Sequence, residues 1–97
     1  MFEQLAYSLA RNDETPNIEL AIRLSENEDA ARIHEIVSEL THKNQAIAND
    51  CIKVLYEIAD RKPKLIAEYV DDFVSLLSSK NNRLVWGGMT ALATIAD

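Results

Sequence analysis

Apolar residues recur along the chain at steps of three and four, the spacing that lines one face of a helix. Ala30, Ile33, Val37 and Leu40 make one such stripe and predict a helix over roughly residues 28–42. Asn44 then offers a side-chain oxygen to the free N–H groups of a new helix. Ile47, Cys51, Val54, Leu55 and Ile58 carry the stripe of that helix, predicted over roughly 44–61. Pro63 stands near the next start, where its missing donor costs nothing, ahead of a stripe of Ile66, Val70, Phe73, Val74 and Leu77. Asn81 caps a last helix, expected to bury Leu84, Gly88, Leu92 and Ile95. Upstream, Phe2, Leu5, Ala6 and Leu9 form a short stripe that Asn12 and Asp13 break. Thr15 and Pro16 open a second short helix around Ile18 to Leu24.

The pattern is written twice. Shifting the chain by 37 residues pairs Ala30–Asp60 with Ala67–Asp97 without a gap, and ten of the 31 pairs are identical. These are Ala30/Ala67, Val37/Val74, Ser38/Ser75, Leu40/Leu77, Lys43/Lys80, Asn44/Asn81, Leu55/Leu92, Ile58/Ile95, Ala59/Ala96 and Asp60/Asp97. Ile33/Val70, Glu35/Asp72, Ile36/Phe73 and Ile47/Leu84 keep their character. A fixed offset that preserves apolar and capping positions together is the mark of a repeated supersecondary unit. The chain divides accordingly into residues 1–26, a degenerate terminal pair with a polar outer face, a first repeat at 27–61 and a second at 62–97.

A two-helix unit of this length resembles the HEAT repeat. The B-helix endings Val54-Leu55-Tyr56-Glu57-Ile58-Ala59 and Ala91-Leu92-Ala93-Thr94-Ile95-Ala96 are similar to its Ala-Leu-x-x-Ile signature. The resemblance covers about residues 28–97. It departs from the family pattern at Ala48 and Val85, where many such helices carry an Arg. The armadillo family, with three helices per unit and a longer period, is the near alternative. The resemblance implies an all-α fold, a right-handed α-α superhelix of stacked antiparallel helix pairs, with the second helix of each pair lining the concave side.

Composition narrows what such a fold serves. Apolar residues make up 47% of the 97, and only two Gly and two Pro interrupt them, which fits a folded helical domain. The net charge of −6 is uneven: residues 1–42 hold nine acids and three bases, residues 43–97 seven of each. Nucleic-acid binding rests largely on Lys and Arg displacing counterions, so nucleic acid is a poor partner for this chain. No apolar run is long enough to span a bilayer, and Met1-Phe2-Glu3-Gln4-Leu5 is no secretory leader. With a single cysteine, Cys51, and no internal disulfide, a cytoplasmic setting is expected.

Turning the first B helix by 100° per residue puts Asn49, Asp50, Lys53, Glu57 and Asp60 opposite its buried stripe. The 37-residue offset carries that row to Trp86, Gly87, Thr90, Thr94 and Asp97, and the two rows are expected to lie side by side. Asn49, Lys53, Glu57, Trp86, Thr90 and Thr94 are the expected partner-binding residues. Trp86 leads them, because an indole off the buried stripe is a large rigid contact of the kind found at hot spots. Packing of Trp86 on the next helix pair or on Tyr56 is the structural alternative. Other residues read as structural. Cys51 belongs to the buried stripe. His34 and His42 stand eight apart with no ligand spacing beside them, so no metal is expected. Glu26, Glu28 and Asp29, and Asp71 with Asp72, favour helix beginnings, and Arg61, Lys62 and Lys64 a helix end. Gly87 and Gly88 mark a close approach of helices, since no strand precedes them to make a phosphate loop.

No nucleophile, base and oxyanion donor assemble on this pattern, and no cofactor is implied. The expected role is a non-catalytic scaffold that binds a protein partner on the surface of the second helices. The alternative is a nucleic-acid enzyme similar to the HEAT-like DNA glycosylases, which needs a basic concave face where this sequence offers Lys53 alone. A plain helical bundle is a third reading. Leu92 and Ile95 call for a cover, so either a longer array or self-association through the C-terminal helix is expected.

Overall fold

The computed structural model describes residues 15–96, and every regular element among them is helical. Helix α1 spans Thr15–Asn27, α2 Ala30–Ser38, α3 Gln45–Arg61, α4 Val70–Leu76 and α5 Asn82–Ala96. A 3₁₀ turn at Glu39–Thr41 extends α2, and two more at Pro63–Leu65 and Ala67–Tyr69 lead into α4. The predicted stripe from Phe2 to Leu9, and Asp97, lie outside the described residues.

The starts and stops follow from local chemistry. Asp29 caps α2, its Oδ1 accepting from the Arg32 N–H at 3.2 Å. Asn44 and Asn81 cap α3 and α5 in the same way, accepting from Ala46 N–H at 2.9 Å and Arg83 N–H at 3.0 Å. Helix α1 is longer than the Ile18–Leu24 expected of it and closes in a Schellman turn. The Asp29 N–H donates to the Leu24 carbonyl and that of Glu28 to the Ser25 carbonyl. The turn puts Glu28 at φ 48°, a left-handed position that usually falls to glycine. Glu26 therefore sits in the last turn of α1, not at a helix beginning. Helix α3 ends at Arg61 because Pro63 bars the helical conformation from Lys62, which is at φ −143°, ψ 79°.

Helix α3 is the centre of the fold. It packs against α1 on one flank and α5 on the other, with α2 and its 3₁₀ turn beneath, while α4 packs on α5. Ala48, Cys51, Ile52, Val54, Leu55, Ile58 and Ala59 are consequently buried around most of its circumference. Cys51 is among them, and burial, with lesser contributions from Glu39 and Asp50, pushes its thiol up to about 12.

The 37-residue offset survives in hydrogen bonding, including at positions where the residue changes. Asn44 N–H donates to His42 Nδ1 at 2.9 Å, and Asn81 N–H to Ser79 Oγ at 3.0 Å. Ser38 Oγ donates to the Glu35 carbonyl at 2.6 Å, and Ser75 Oγ to that of Asp72 at 2.7 Å. The turns before α3 and α5 are thus one structure built twice.

The second unit departs from prediction on its first helix. Val74 and Leu77 are exposed and Val70 is half-buried; Ile66 and Phe73 are buried as expected, and Tyr69 and Leu76 complete the inward stripe. The physical reason is the pair of 3₁₀ turns. The regular helix begins only at Val70, and its short course turns the 69/73/76 face inward. Tyr69 tolerates that face because its hydroxyl reaches His34 Nδ1 at 3.4 Å.

Candidate functional site

Along α3 one stripe stays in contact with water. Asn49, Lys53, Tyr56 and Asp60 follow one another at steps of three and four, with Glu57 at its edge. Lys53 Nζ lies 2.8 Å from Glu57 Oε2, and Arg61 Nη1 the same distance from Glu57 Oε1. Burial alone raises the Glu57 carboxyl, but hydrogen bonds from Arg61 and Lys53 outweigh it and hold the group below the usual carboxylate range. For Lys53, burial works to lower the ammonium, and the bond to Glu57, helped by Tyr56, reverses the sign and leaves it raised. The same ammonium stands 4.8 Å from the centroid of the Tyr56 ring, within cation–π reach.

Trp86 comes to this stripe from α5. It is 64% exposed, and its indole meets the Tyr56 ring edge-on at a centroid distance of 6.4 Å. The contact foreseen as the structural alternative is therefore made, and most of the indole remains in solvent. Between the two helices lies a hollow of about 290 Å³, lined by Asn49, Ile52, Lys53, Tyr56, Arg83 and Trp86 together with Asn82. Its upper end is pinned by Asn81, whose Nδ2 donates to Asn49 Oδ1 at 2.8 Å and also to Gln45 Oε1. One residue thus caps α5 and ties it to α3.

Of the six residues expected to bind a partner, Asn49, Lys53 and Trp86 line the hollow, and Glu57 holds Lys53 in place. Thr90 and Thr94 lie outside it. Their hydroxyls donate to the carbonyls of Trp86 and Thr90, four residues back, at 2.9 and 3.1 Å. The outward row is also narrower than predicted. Asp50 turns away into the contact with α1, where its Oδ1 accepts from the buried Asn17 Nδ2 at 2.8 Å. Gly87 turns in against Ile52. Removing Asp50 and adding Arg83 makes this face less acidic than its sequence row implies. Ile52, Tyr56, Asn82 and Arg83 are the lining residues the pattern did not select. Tyr56 was legible, standing three residues beyond Lys53, but Arg83 has Ala46 as its counterpart in the other repeat and drew no attention.

Lys62 and Lys64, just beyond α3, pair with an acid of the same chain. Lys62 Nζ and Lys64 Nζ lie 3.1 and 3.6 Å from Glu28 Oε2, which holds the Glu28 carboxyl low through the Lys62 hydrogen bond first. The basic cluster therefore meets an acid from the α1–α2 turn as well as a helix end. Among the described residues no group of His, Cys, Asp and Glu gathers at metal-binding distance, and no helix is long and apolar enough to cross a membrane. No protein-family model, curated protein or solved structure matches this chain.

Proposed function

We propose that the chain is a non-catalytic protein-interaction scaffold of stacked helical hairpins, built in the manner of HEAT repeats and acting in the cytoplasm. Its contact surface is the solvent side of α3 and α5. The observation that carries this reading is Trp86, a large side chain 64% exposed at the rim of a hollow and held on one edge by Tyr56. A rigid, pre-set aromatic loses little freedom when it docks, which is why such residues dominate binding energy at interfaces. Asn49, Lys53 and Arg83 around it supply polar contacts that orient a partner, and Glu57 keeps the Lys53 ammonium from wandering. The 37-residue correspondence of the two turns supports stacked units, and the central position of α3 between α1 and α5 fits the same arrangement.

The experiment is a paired affinity capture with the intact chain and Trp86→Ala, using Glu19→Ala on the far flank as control. The proposal expects one set of proteins held by the parent and the control and lost with Trp86→Ala. Truncating a central aromatic anchor costs about 2–4 kcal/mol of binding. Identical capture by all three chains would contradict it.

A further inference from the structure

The two hairpins carry the same apolar stripe, and only its first copy is covered. On α3 the stripe is Ala48, Ile52, Leu55 and Ala59, at steps of four, three and four, and none of these exceeds 2% exposure. Its cover is α5, which approaches so closely that a Cβ on Gly87 would lie 2.5 Å from Ile52 Cγ1. Thirty-seven residues on, the stripe reads Val85, Met89, Leu92 and Ala96. There Met89 is 55% exposed, Ala96 is exposed, and Val85 and Leu92 are half-open. The first helices repeat the contrast: Val37 and Leu40 are 7% and 4% exposed, but Val74 and Leu77 are 49% and 42%. Every one of these positions is apolar in both hairpins.

We infer that this end face, formed by Val74, Leu77, Val85, Met89 and Leu92, is the contact between two copies of the chain related by a two-fold axis. The same stripe already makes one interface in the fold, because α3 uses its copy to hold α5. Charge also permits the pairing. The exposed positions of α5 are Asn82, Arg83, Trp86, Met89, Ala93 and Ala96, with one charge at the start of the helix. The acids of α4, Asp71 and Asp72, stand in its first turn outside the stripe. A two-fold contact sets a patch against itself, so it needs a surface free of like-charge conflict, and this one is. Across α3, the described helix α1 presents a different surface. The exposed positions of α1 are Thr15, Glu19, Arg23, Glu26 and Asn27, and all but Asn27 follow one stripe. Head-to-tail stacking of the open apolar face on that stripe would strip water from Glu and Arg with nothing apolar gained on their side.

Sedimentation velocity of the intact chain from about 1 to 200 µM tests the inference. The expected result is a reversible monomer–dimer equilibrium that stops at the dimer. Met89→Glu should raise the dissociation constant by on the order of 100-fold, because each dimer would bury two carboxylates among apolar groups. Its helical circular dichroism should match the parent, since Met89 is an exposed side chain, and so should its melting curve at concentrations where both chains are monomeric. Leu77→Lys, on the other helix of the face, should act alike and decides the matter if Met89→Glu fails to fold. A chain monomeric throughout, a ladder of species beyond the dimer, or a dimer indifferent to the substitutions would overturn the inference.

Discussion

Asp50 and Gly87 stand at equivalent places in the 37-residue register, and each faces the α-helix two before its own. Asp50 meets Asn17 on α1 across a buried hydrogen bond, and Gly87 meets Ile52 on α3 with no side chain at all. Replacing Asp50 by Ala takes an acceptor from a fully buried amide, and the expected loss is about 1–3 kcal/mol of folding stability by urea denaturation. Gly87→Ala sets two effects against each other. Alanine improves helix propensity by about 1 kcal/mol. The new methyl collides with the branched Ile52 side chain close to its root, an overpacking that costs about 1–3 kcal/mol. The collision wins, so a net loss of stability is expected, with a lowered urea midpoint as the measurement. Helical position alone made both residues look outward. The sequence holds no local sign that Asp50 has a partner 33 residues away, and glycine gives no apolar signal. Cys51, by contrast, was legible as a core residue because apolar neighbours flank it at every helical step.

At the level of the elements, capping and charge spacing were the most readable features. Asn44 and Asn81 do what their positions promise, and Asn81 does more, since its amide also bonds Asn49 and Gln45 on α3. Asn44→Ala should cost about 1 kcal/mol, the ordinary value for a lost cap. Asn81→Ala should cost more than Asn44→Ala, and the difference between the two thermal melts measures the tie between α5 and α3. On α3 the Lys53–Glu57–Arg61 ladder gives a pH signature. The Glu57 carboxyl is lowered in the folded chain, so its contribution is present above the unfolded value, near ~4.3, and disappears as pH falls through the lower folded value. Lys53 is raised, so its share holds below the unfolded value, near ~10.4, and is lost as pH rises through the folded one. Glu57→Gln should therefore be less stable than the parent by about 0.5–1 kcal/mol at neutral pH, and the gap should close at an acid pH below the lowered folded value. Chemical denaturation at both pH values provides the check. What escaped the sequence here was the phase of α4. The 3₁₀ turns after Pro63 are set by backbone geometry that a three-and-four pattern does not encode, so Val74 and Leu77 were assigned inward and Leu76 was passed over.

On the scale of the whole molecule, the helical class, the hairpin order and the 37-residue correspondence could be read from identities such as Asn44/Asn81 and Leu55/Leu92. The second apolar stripe of α3 could have been read too, since Ala48, Ile52, Leu55 and Ala59 keep helical spacing, but one stripe per helix satisfied the pattern first. That overlooked stripe joins the hairpins, and its counterpart on α5 makes the end face. The hollow beside Trp86 was only half legible, because it forms between helices and depends on which side each turns to the other. Both the proposed contact surface and the end face depend on one premise: each hairpin covers the trailing stripe of the one before it, in a stack that a constant offset generates. The most direct measurement is the urea denaturation of a chain in which residues 61–97 are repeated once more after Asp97, in unbroken register. The account predicts a single cooperative transition with a higher midpoint and a steeper slope, as Val85, Met89 and Leu92 gain a cover. An unchanged midpoint, with the added segment unfolding separately and cut readily by protease, would contradict it.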